Sequence, residues 1–377
     1  MIGQQLFAQA GAPSVGTRTE LATDIRDARL LDVSPDGKRL CLCSSRRPLS
    51  SAVFVSPGNR AYRSEPGEAS LHVVDIESGS TVYSKQISGG IGTAGFFSGG
   101  KRLYFETSFP GVTTYRQIIL DLPTGVLTER SAVRNGNKNN YEYTALDDNA
   151  LLGIEVSPNP YLIQSLLRVG SDDLHEIARV PYAPTDVRGP GNRDTSPVIS
   201  SDRKKVAYGV SSSLVVRRTN NLELIWATPI EPGYFGIRRL SLTPDGSIVA
   251  VSVVDTTAYE HQRKYYISIC DSEKRVQIAR LPVNGSEGIG ISPNGQILAV
   301  GKRIIEGRDI RLGIELYQVG SGKMIAQSEH DRIPPGRYQS LVASFDVDGV
   351  RFTSDGKYLI TSGNNHVKLW NAHSLTN

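Results

Sequence analysis

The sequence has few cysteines and no long hydrophobic run. Three cysteines in 377 residues are too few, and odd in number, for a disulfide framework. Cys41 and Cys43 alternate with leucine in RLCLCSS, which predicts that both lie buried on one face of a strand and do not bind metal. No apolar stretch approaches the roughly 20 residues that cross a bilayer, so we expect no membrane span.

Concentrated charge and catalytic motifs are also missing. The formal net charge is only +4, and no block of five or six like charges occurs, so we expect no nucleic-acid partner. The six histidines are dispersed, without the close pairs typical of metal sites, and there is no Gly-x-Ser-x-Gly nucleophile motif. We therefore expect no metal, no other cofactor and no catalytic residues.

One pattern occurs seven times along the chain: a strand, a tight turn, then an apolar strand. Asp-Gly, Gly-Gly and Asn-Gly in these turns tolerate the positive φ that tight hairpins need. The seven copies are DVSPDGKRLCLCS from Asp32, GFFSGGKRLYFET from Gly95, TALDDNALLGIEV from Thr144, PVISSDRKKVAYGV from Pro197, SLTPDGSIVAVSV from Ser241, GISPNGQILAVGK from Gly290 and RFTSDGKYLITSG from Arg351.

Most copies are followed by a second pair of strands, as in SLHVVDIESGSTVYSKQIS. Four strands per repeat, separated by turns and loop insertions, predict the blades of a β-propeller. In this arrangement GGIGTAG, at residues 89–95, is interpreted as a connection between blades. It lacks the Gly-Lys-Ser/Thr of a phosphate-binding loop.

The seventh repeat, VRFTSDGKYLITSGNNHVKLWN, has only three strands before the chain ends. An unpaired sheet edge promotes aggregation, so the missing strand must come from elsewhere. Residues 14–25 precede the first repeat and belong to no blade of their own. We therefore predict an all-β fold: a seven-bladed β-propeller of four-stranded antiparallel blades, closed by an N-terminal strand that completes the last blade.

The predicted domain organisation is a flexible tail at residues 1–13 and a single propeller at residues 14–377. The tail contains Ala8-Gln9-Ala10, a small-x-small pattern similar to a signal-peptidase site, although no charged and apolar segments precede it. The protein is thus expected in the cytoplasm, or in the periplasm or secreted if the true start lies upstream of Met1.

The repeats carry a family resemblance. SPDGKRLCLCS followed by LHVVDIESGS resembles the repeats of bacterial TolB-type and WD40-like propellers, and SDGKYLITSGNNHVKLWN resembles a WD40 repeat. Trp370-Asn371 stands where Trp-Asp is usual, Asn364-Asn365 stands where an Asp is typical, and no Gly-His dipeptide opens the repeats. The buried His–Asp networks of WD40 blades are therefore expected to be absent, with packing holding the blades.

In a propeller the loops between second and third strands, and between consecutive blades, usually form the ligand face. Here these loops are long and rich in Arg and Tyr, which favour interfaces. We predict a non-catalytic, monomeric platform that binds a protein or peptide through this face. The predicted binding residues are Arg46, Arg47, Tyr62, Arg63, Tyr115, Arg188, Arg193, Arg263 and Tyr338.

Two alternatives are left open. In the first, the protein is a lactonase-like or other hydrolase whose central-channel site contains Glu260, His261, Glu329, His330 and Asp331. No motif fixes the geometry of these five residues. In the second, it is a periplasmic TolB-like accessory protein, which an upstream in-frame signal sequence would support.

Overall fold

The computed structural model describes the strands and most short turns of the chain. The described residues are 18–20, 25, 28–45, 68–108, 114–133, 140–156, 163–173, 175–183, 195, 197–210, 212–230, 235–255, 265–283, 288–306, 309–333, 347–363 and 366–372. Their secondary structure is strand and turn, and no helix among them could span a membrane.

A short strand, β1 (Arg18–Glu20), precedes three blades that follow one another along the chain. Each blade has four antiparallel strands in sequence order. Blade 1 contains β2 (Ala28–Val33), β3 (Arg39–Ser45), β4 (Glu68–Asp75) and β5 (Thr81–Ser88); blade 2 contains β6 (Gly90–Phe96), β7 (Arg102–Ser108), β8 (Thr114–Asp121) and β9 (Leu127–Val133); blade 3 contains β10 (Asn140–Asp147), β11 (Ala150–Val156), β12 (Ile163–Gly170) and β13 (Glu176–Pro181).

The next three blades repeat this order. Blade 4 contains β14 (Val198–Ile199), β15 (Lys205–Val210), β16 (Ser213–Arg218) and β17 (Leu224–Pro229); blade 5 contains β18 (Phe235–Leu242), β19 (Ile248–Asp255), β20 (Tyr265–Asp271) and β21 (Val276–Val283); blade 6 contains β22 (Ile289–Ile291), β23 (Ile297–Glu306), β24 (Asp309–Gln318) and β25 (Met324–Ile333).

Blade 7 is made from both ends of the described chain. Its strands β26 (Val347–Phe352), β27 (Tyr358–Gly363) and β28 (His366–Asn371) are followed by β1 as the fourth. Arg18 lies opposite Trp370, and the antiparallel ladder continues to Glu20. The predicted seven-bladed fold and its closure by an N-terminal strand are thus confirmed.

The core of the protein is divided among the junctions between blades. Within the described residues, seven hydrophobic clusters each join two consecutive blades. The cluster between blades 7 and 1 includes Leu42, Ile360 and Leu369, with Ile25 packed against it. Because every blade buries both faces against its neighbours, the ring is stabilised by apolar burial all the way round.

In five of the seven neighbouring pairs of blades the first strands contact one another, as expected for strands that surround the central axis. This corrects the interpretation of residues 89–95. Gly89 alone connects β5 to β6, and the rest of GGIGTAG forms part of β6, the innermost strand of blade 2. The register shifts between Ile91 and Ala94, which is the irregular pairing that glycine permits in a strand.

The turns between first and second strands share one hydrogen-bonding arrangement in five of the described blades. In blade 1, Ser34 Oγ donates to Asp36 Oδ1 and accepts from Arg39 N, while Gly37 adopts φ +71°. Equivalent side-chain contacts recur in blades 4, 5, 6 and 7. The repeated Ser/Thr-x-Asp/Asn sequence therefore fixes each hairpin locally.

Gly301 marks the closest approach between two blades. A Cβ at this position would lie 2.3 Å from the carbonyl oxygen of Val347 on the inner strand of blade 7. We expect Gly301→Ala to reduce the free energy of unfolding by about 2–3 kcal/mol, because backbone and not a flexible side chain must move. Gly320→Ala, where no atom lies within 4 Å, should be neutral in the same denaturant titration. Equal stability of the two variants would contradict the tight blade contact.

Candidate functional site

The strand order gives the propeller two different faces. Connections after the first and third strands of each blade lie on one face, which we call the hairpin face; those after the second strand and between blades lie on the other, the loop face. Every connection on the hairpin face is at most five residues long. The longest connections on the loop face are residues 46–67, 182–197 and 334–346.

The predicted binding residues fall almost entirely on these loop-face connections. Eight of them lie outside the described residues: Arg46, Arg47, Tyr62, Arg63, Arg188, Arg193, Arg263 and Tyr338. Tyr115 lies in β8, but its side chain is not among those described. Their role in binding therefore stays a prediction, which rests on where the strands place the loops.

The structure places Glu329, His330 and Asp331, three of the alternative central-channel residues, away from the axis. Glu260 and His261 lie outside the described residues. Glu329, His330 and Asp331 are consecutive residues of β25, the outermost strand of blade 6. Glu329 is exposed, whereas His330 is fully buried and is the extra residue where the β24–β25 register shifts.

His330 is an unusual buried polar residue at the junction of blades 6 and 7. Neither of its ring nitrogens makes a hydrogen bond of ordinary geometry to any described residue. Lys368 Nζ, from β28, donates to the His330 carbonyl, and the neighbouring Asp331 pairs with His366 at 2.7 Å. Burial, reinforced by the Lys368 cation, lowers the pKa of His330 to about 3. The ring is therefore neutral at pH 7.

Because the pKa of His330 is lowered in the folded chain, we expect the free energy of unfolding to fall in acid. The unfolded chain binds the proton with a pKa of about 6.5 and the folded chain only near 3, so stability is full above the higher value and declines as the pH falls between them. We expect a loss of about 2 kcal/mol at pH 5.

The measurement is denaturant unfolding from pH 7.5 to pH 4. His330→Met should flatten the decline, because it keeps the buried volume without the titrating ring. His366→Gln is the matched control: it removes only the exposed partner of Asp331 and should leave most of the decline in place. An unchanged pH profile for His330→Met would contradict the assignment.

The described residues offer no alternative metal centre. No group of three or more His, Cys, Asp or Glu side chains is arranged there to hold a metal ion. The three cysteines are buried, as the sequence predicted for Cys41 and Cys43, and burial raises the pKa of the Cys270 thiol to about 12. Cys270 is therefore a packing residue and not a reactive thiol.

A region that the sequence reasoning missed lies where the central channel meets the hairpin face. Arg203, in the first turn of blade 4, has φ +61°. Its Nη1 donates to the Ala145 carbonyl at 3.1 Å, and its Nη2 donates to the Phe96 carbonyl at 2.6 Å. Arg203 thus donates hydrogen bonds to the innermost strands of blades 3 and 2. The inner edge of each of these strands has no strand partner within its own sheet.

A sequence signal for this arginine does exist. In SSDRKK, Arg203 occupies the turn position that Gly37 occupies in SPDGKR. A side chain other than glycine at positive φ is strained unless its surroundings hold it there. Replacement of the turn glycine by arginine in one repeat only could have indicated a special role.

The seven clusters and the strand order define a seven-bladed β-propeller, and its last repeat is WD40-like. The sequence of the last repeat agrees: residues 338–371 match the WD40 family, described as "WD domain, G-beta repeat". No curated protein matches the chain by sequence.

Several solved structures share the fold. The chain is similar to the Cps50 (Swd1) beta-propeller domain of Myceliophteria thermophila, with 13% identity and a TM-score of 0.56 over 95% of this chain and 99% of that one. A chain of a Mitotic Checkpoint Complex has 12% identity and a TM-score of 0.54, over 98% of each chain. Kuenenia stuttgartiensis Hydrazine Synthase has 14% identity and a TM-score of 0.54, over 94% and 98%. At such identities these likenesses show the fold alone.

Proposed function

We propose that this propeller is a non-catalytic platform that binds a protein or peptide through its loop face. The observation that carries the proposal is the contrast between the two faces. The hairpin face has short, locally hydrogen-bonded turns, whereas the loop face carries the long connections with the predicted Arg and Tyr residues. Binding on loops held by a rigid ring avoids the cost of ordering the scaffold.

The structural neighbours support this proposal without deciding it. One is a propeller domain, and another is a chain of the Mitotic Checkpoint Complex, an assembly of several proteins by its name. A third is Hydrazine Synthase, an enzyme, so the fold by itself does not exclude catalysis. The hydrolase alternative gains no support from Glu329, His330 and Asp331, because they lie on an outer strand.

The test is a pull-down with the intact chain and a variant in which Arg46, Arg47, Arg188 and Arg193 are changed to Ser. The matched control changes four exposed lysines of the hairpin face to Ser: Lys38, Lys101, Lys204 and Lys357. Both variants lose four positive charges. Loss of a partner from the loop-face variant alone would support the proposal. Equal recovery by all three proteins, or equal loss from both variants, would contradict it.

The bacterial TolB-type kinship and the periplasmic location stay predictions. An in-frame upstream segment encoding basic and then apolar residues would support export of the chain. The proposed loop-face platform does not depend on that outcome.

A further inference from the structure

Blade 1 carries a serine and a histidine in hydrogen-bond contact, outside the long connections of the loop face. Ser44 lies near the end of β3, and His72 lies in the middle of β4. We propose that Ser44 is an activated nucleophile that accepts an acyl group from a small activated ester or thioester. This makes Ser44 a site of covalent modification, and it does not depend on binding at the loop face.

Strand alternation places the pair at the junction between blades 7 and 1. Leu42 and Val74 lie two residues from Ser44 and His72, and both belong to the apolar cluster between these blades. Because alternate residues of a strand point to the same face, Ser44 and His72 face blade 7 as well. Both are only half-buried, and Ser84 beside them on β5 is exposed, so this row of side chains opens to solvent.

The ring of His72 is held between two hydroxyl groups. Its Nε2 lies 2.8 Å from Ser44 Oγ, and its Nδ1 lies 3.0 Å from Ser84 Oγ. In the tautomer with a proton on Nδ1, the ring donates to Ser84, and the lone pair of Nε2 accepts the hydroxyl of Ser44. This is the arrangement of a nucleophile and a base whose ring is oriented by a third group.

His72 differs from the other three histidines that the structure describes. His175 and His366 each pair with an aspartate, and His330 is enclosed between two blades. Partial burial lowers the pKa of His72 below its ordinary value, so its ring is neutral at pH 7. A neutral imidazole with its Nε2 lone pair on a hydroxyl can take up the proton of that hydroxyl.

The acyl transfer needs only the pair and the acyl donor. Ser44 Oγ attacks the carbonyl carbon of the ester or thioester while its proton moves to His72 Nε2. The tetrahedral intermediate then expels the alkoxide or thiolate, which takes that proton from His72 and leaves as an alcohol or thiol. The acyl group remains on Ser44 as an ester, and no oxidant, reductant or further reactant takes part.

The third group of the row determines which acyl donors can react. Ser84 occupies the place that a carboxylate has in a Ser-His-Asp triad, and a hydroxyl stabilises the imidazolium less than a carboxylate does. Donors with good leaving groups depend least on such stabilisation. Aryl esters and thioesters are therefore the expected class, whereas amides are expected not to react.

The test incubates the full chain with p-nitrophenyl acetate at pH 8 and follows acetylation of individual residues by peptide mass spectrometry. We expect an acetyl ester on Ser44 that forms faster than on Ser70, the half-buried serine opposite Ser44 on β4. His72→Gln should slow acetylation of Ser44 roughly tenfold or more, because an amide can replace the hydrogen bonds but cannot take up the proton. Ser70→Ala is the matched control and should leave the rate unchanged.

Ser84 is a positioning residue, because it contacts the base and not the nucleophile. Ser84→Ala should slow acetylation of Ser44 severalfold, whereas Ser84→Thr, which keeps the hydroxyl, should retain the rate. Both changes fall on an exposed side chain, so neither is expected to disturb folding. Absence of an acetyl ester on Ser44, an unchanged rate in His72→Gln, or equal rates at Ser44 and Ser70 would overturn the proposal.

Discussion

Removal of residues 1–25 is expected to convert the closed propeller into insoluble or oligomeric material. The deletion takes away β1, the strand that pairs with the outer edge of β28 in the described part of the chain. It also removes Ile25, which packs against the apolar cluster between blades 7 and 1. The remaining chain has six complete blades and one three-stranded blade whose edge is free to pair with another molecule.

This deletion is tested by size-exclusion chromatography and thermal unfolding of the purified chain. Removal of residues 1–13 is the matched control: it shortens the same terminus but leaves β1 in place, so solubility and melting temperature should not change. The prediction holds if the longer deletion alone causes association or a lower melting temperature. A 1–25 deletion that stays monomeric with unaltered melting would refute it.

Trp370→Ala is expected to be the most destabilising single substitution in blade 7. The indole is fully buried in the cluster between blades 6 and 7, and its Nε1 donates to Thr361 Oγ1 at 2.8 Å. Truncation leaves a large cavity beside Leu359 and removes the partner of a buried hydroxyl. We expect a loss of about 3–5 kcal/mol in the free energy of unfolding.

Thr361→Val measures the contribution of the Trp370 hydrogen bond to stability separately from the contribution of its packing. This substitution keeps the shape of the side chain but leaves the indole N–H buried without an acceptor, which should cost about 1–2 kcal/mol. Denaturant titration of both variants gives the comparison. Similar losses for Trp370→Ala and Thr361→Val would show that the cavity contributes little, contrary to expectation.

The sequence was sufficient for the architecture because the fold repeats the same local chemistry. Turns such as SPDGKR adopt their conformation through nearby contacts, including that of Ser34 with Asp36, and these are visible in the residue pattern. Closure also followed from the pattern, because a missing strand at one end and a spare segment at the other allow one solution. The N-terminal part of β6 was assigned to a connection because its glycines and its register shift weaken the alternation that identifies strands.

The functional regions were harder to predict because they depend on contacts between distant parts of the chain. Arg203 reaches carbonyls of two other blades, and local sequence carries no information about which carbonyls those are. His330 and Asp331 looked like channel residues from their loop-end position. Their place on the outermost strand follows only from counting strands within the blade. The loop-face arginines are a compositional prediction and await the pull-down.

Hydrogen–deuterium exchange of the intact chain tests the closure of the ring most directly. If β1 is the fourth strand of blade 7, the Arg18–Glu20 amides that bond to β28 should exchange much more slowly than those of an unstructured chain, because a backbone ladder joins the two segments. Exchange of the N-terminal peptide at the rate of an unstructured chain, with β28 still protected, would contradict the closed seven-bladed ring.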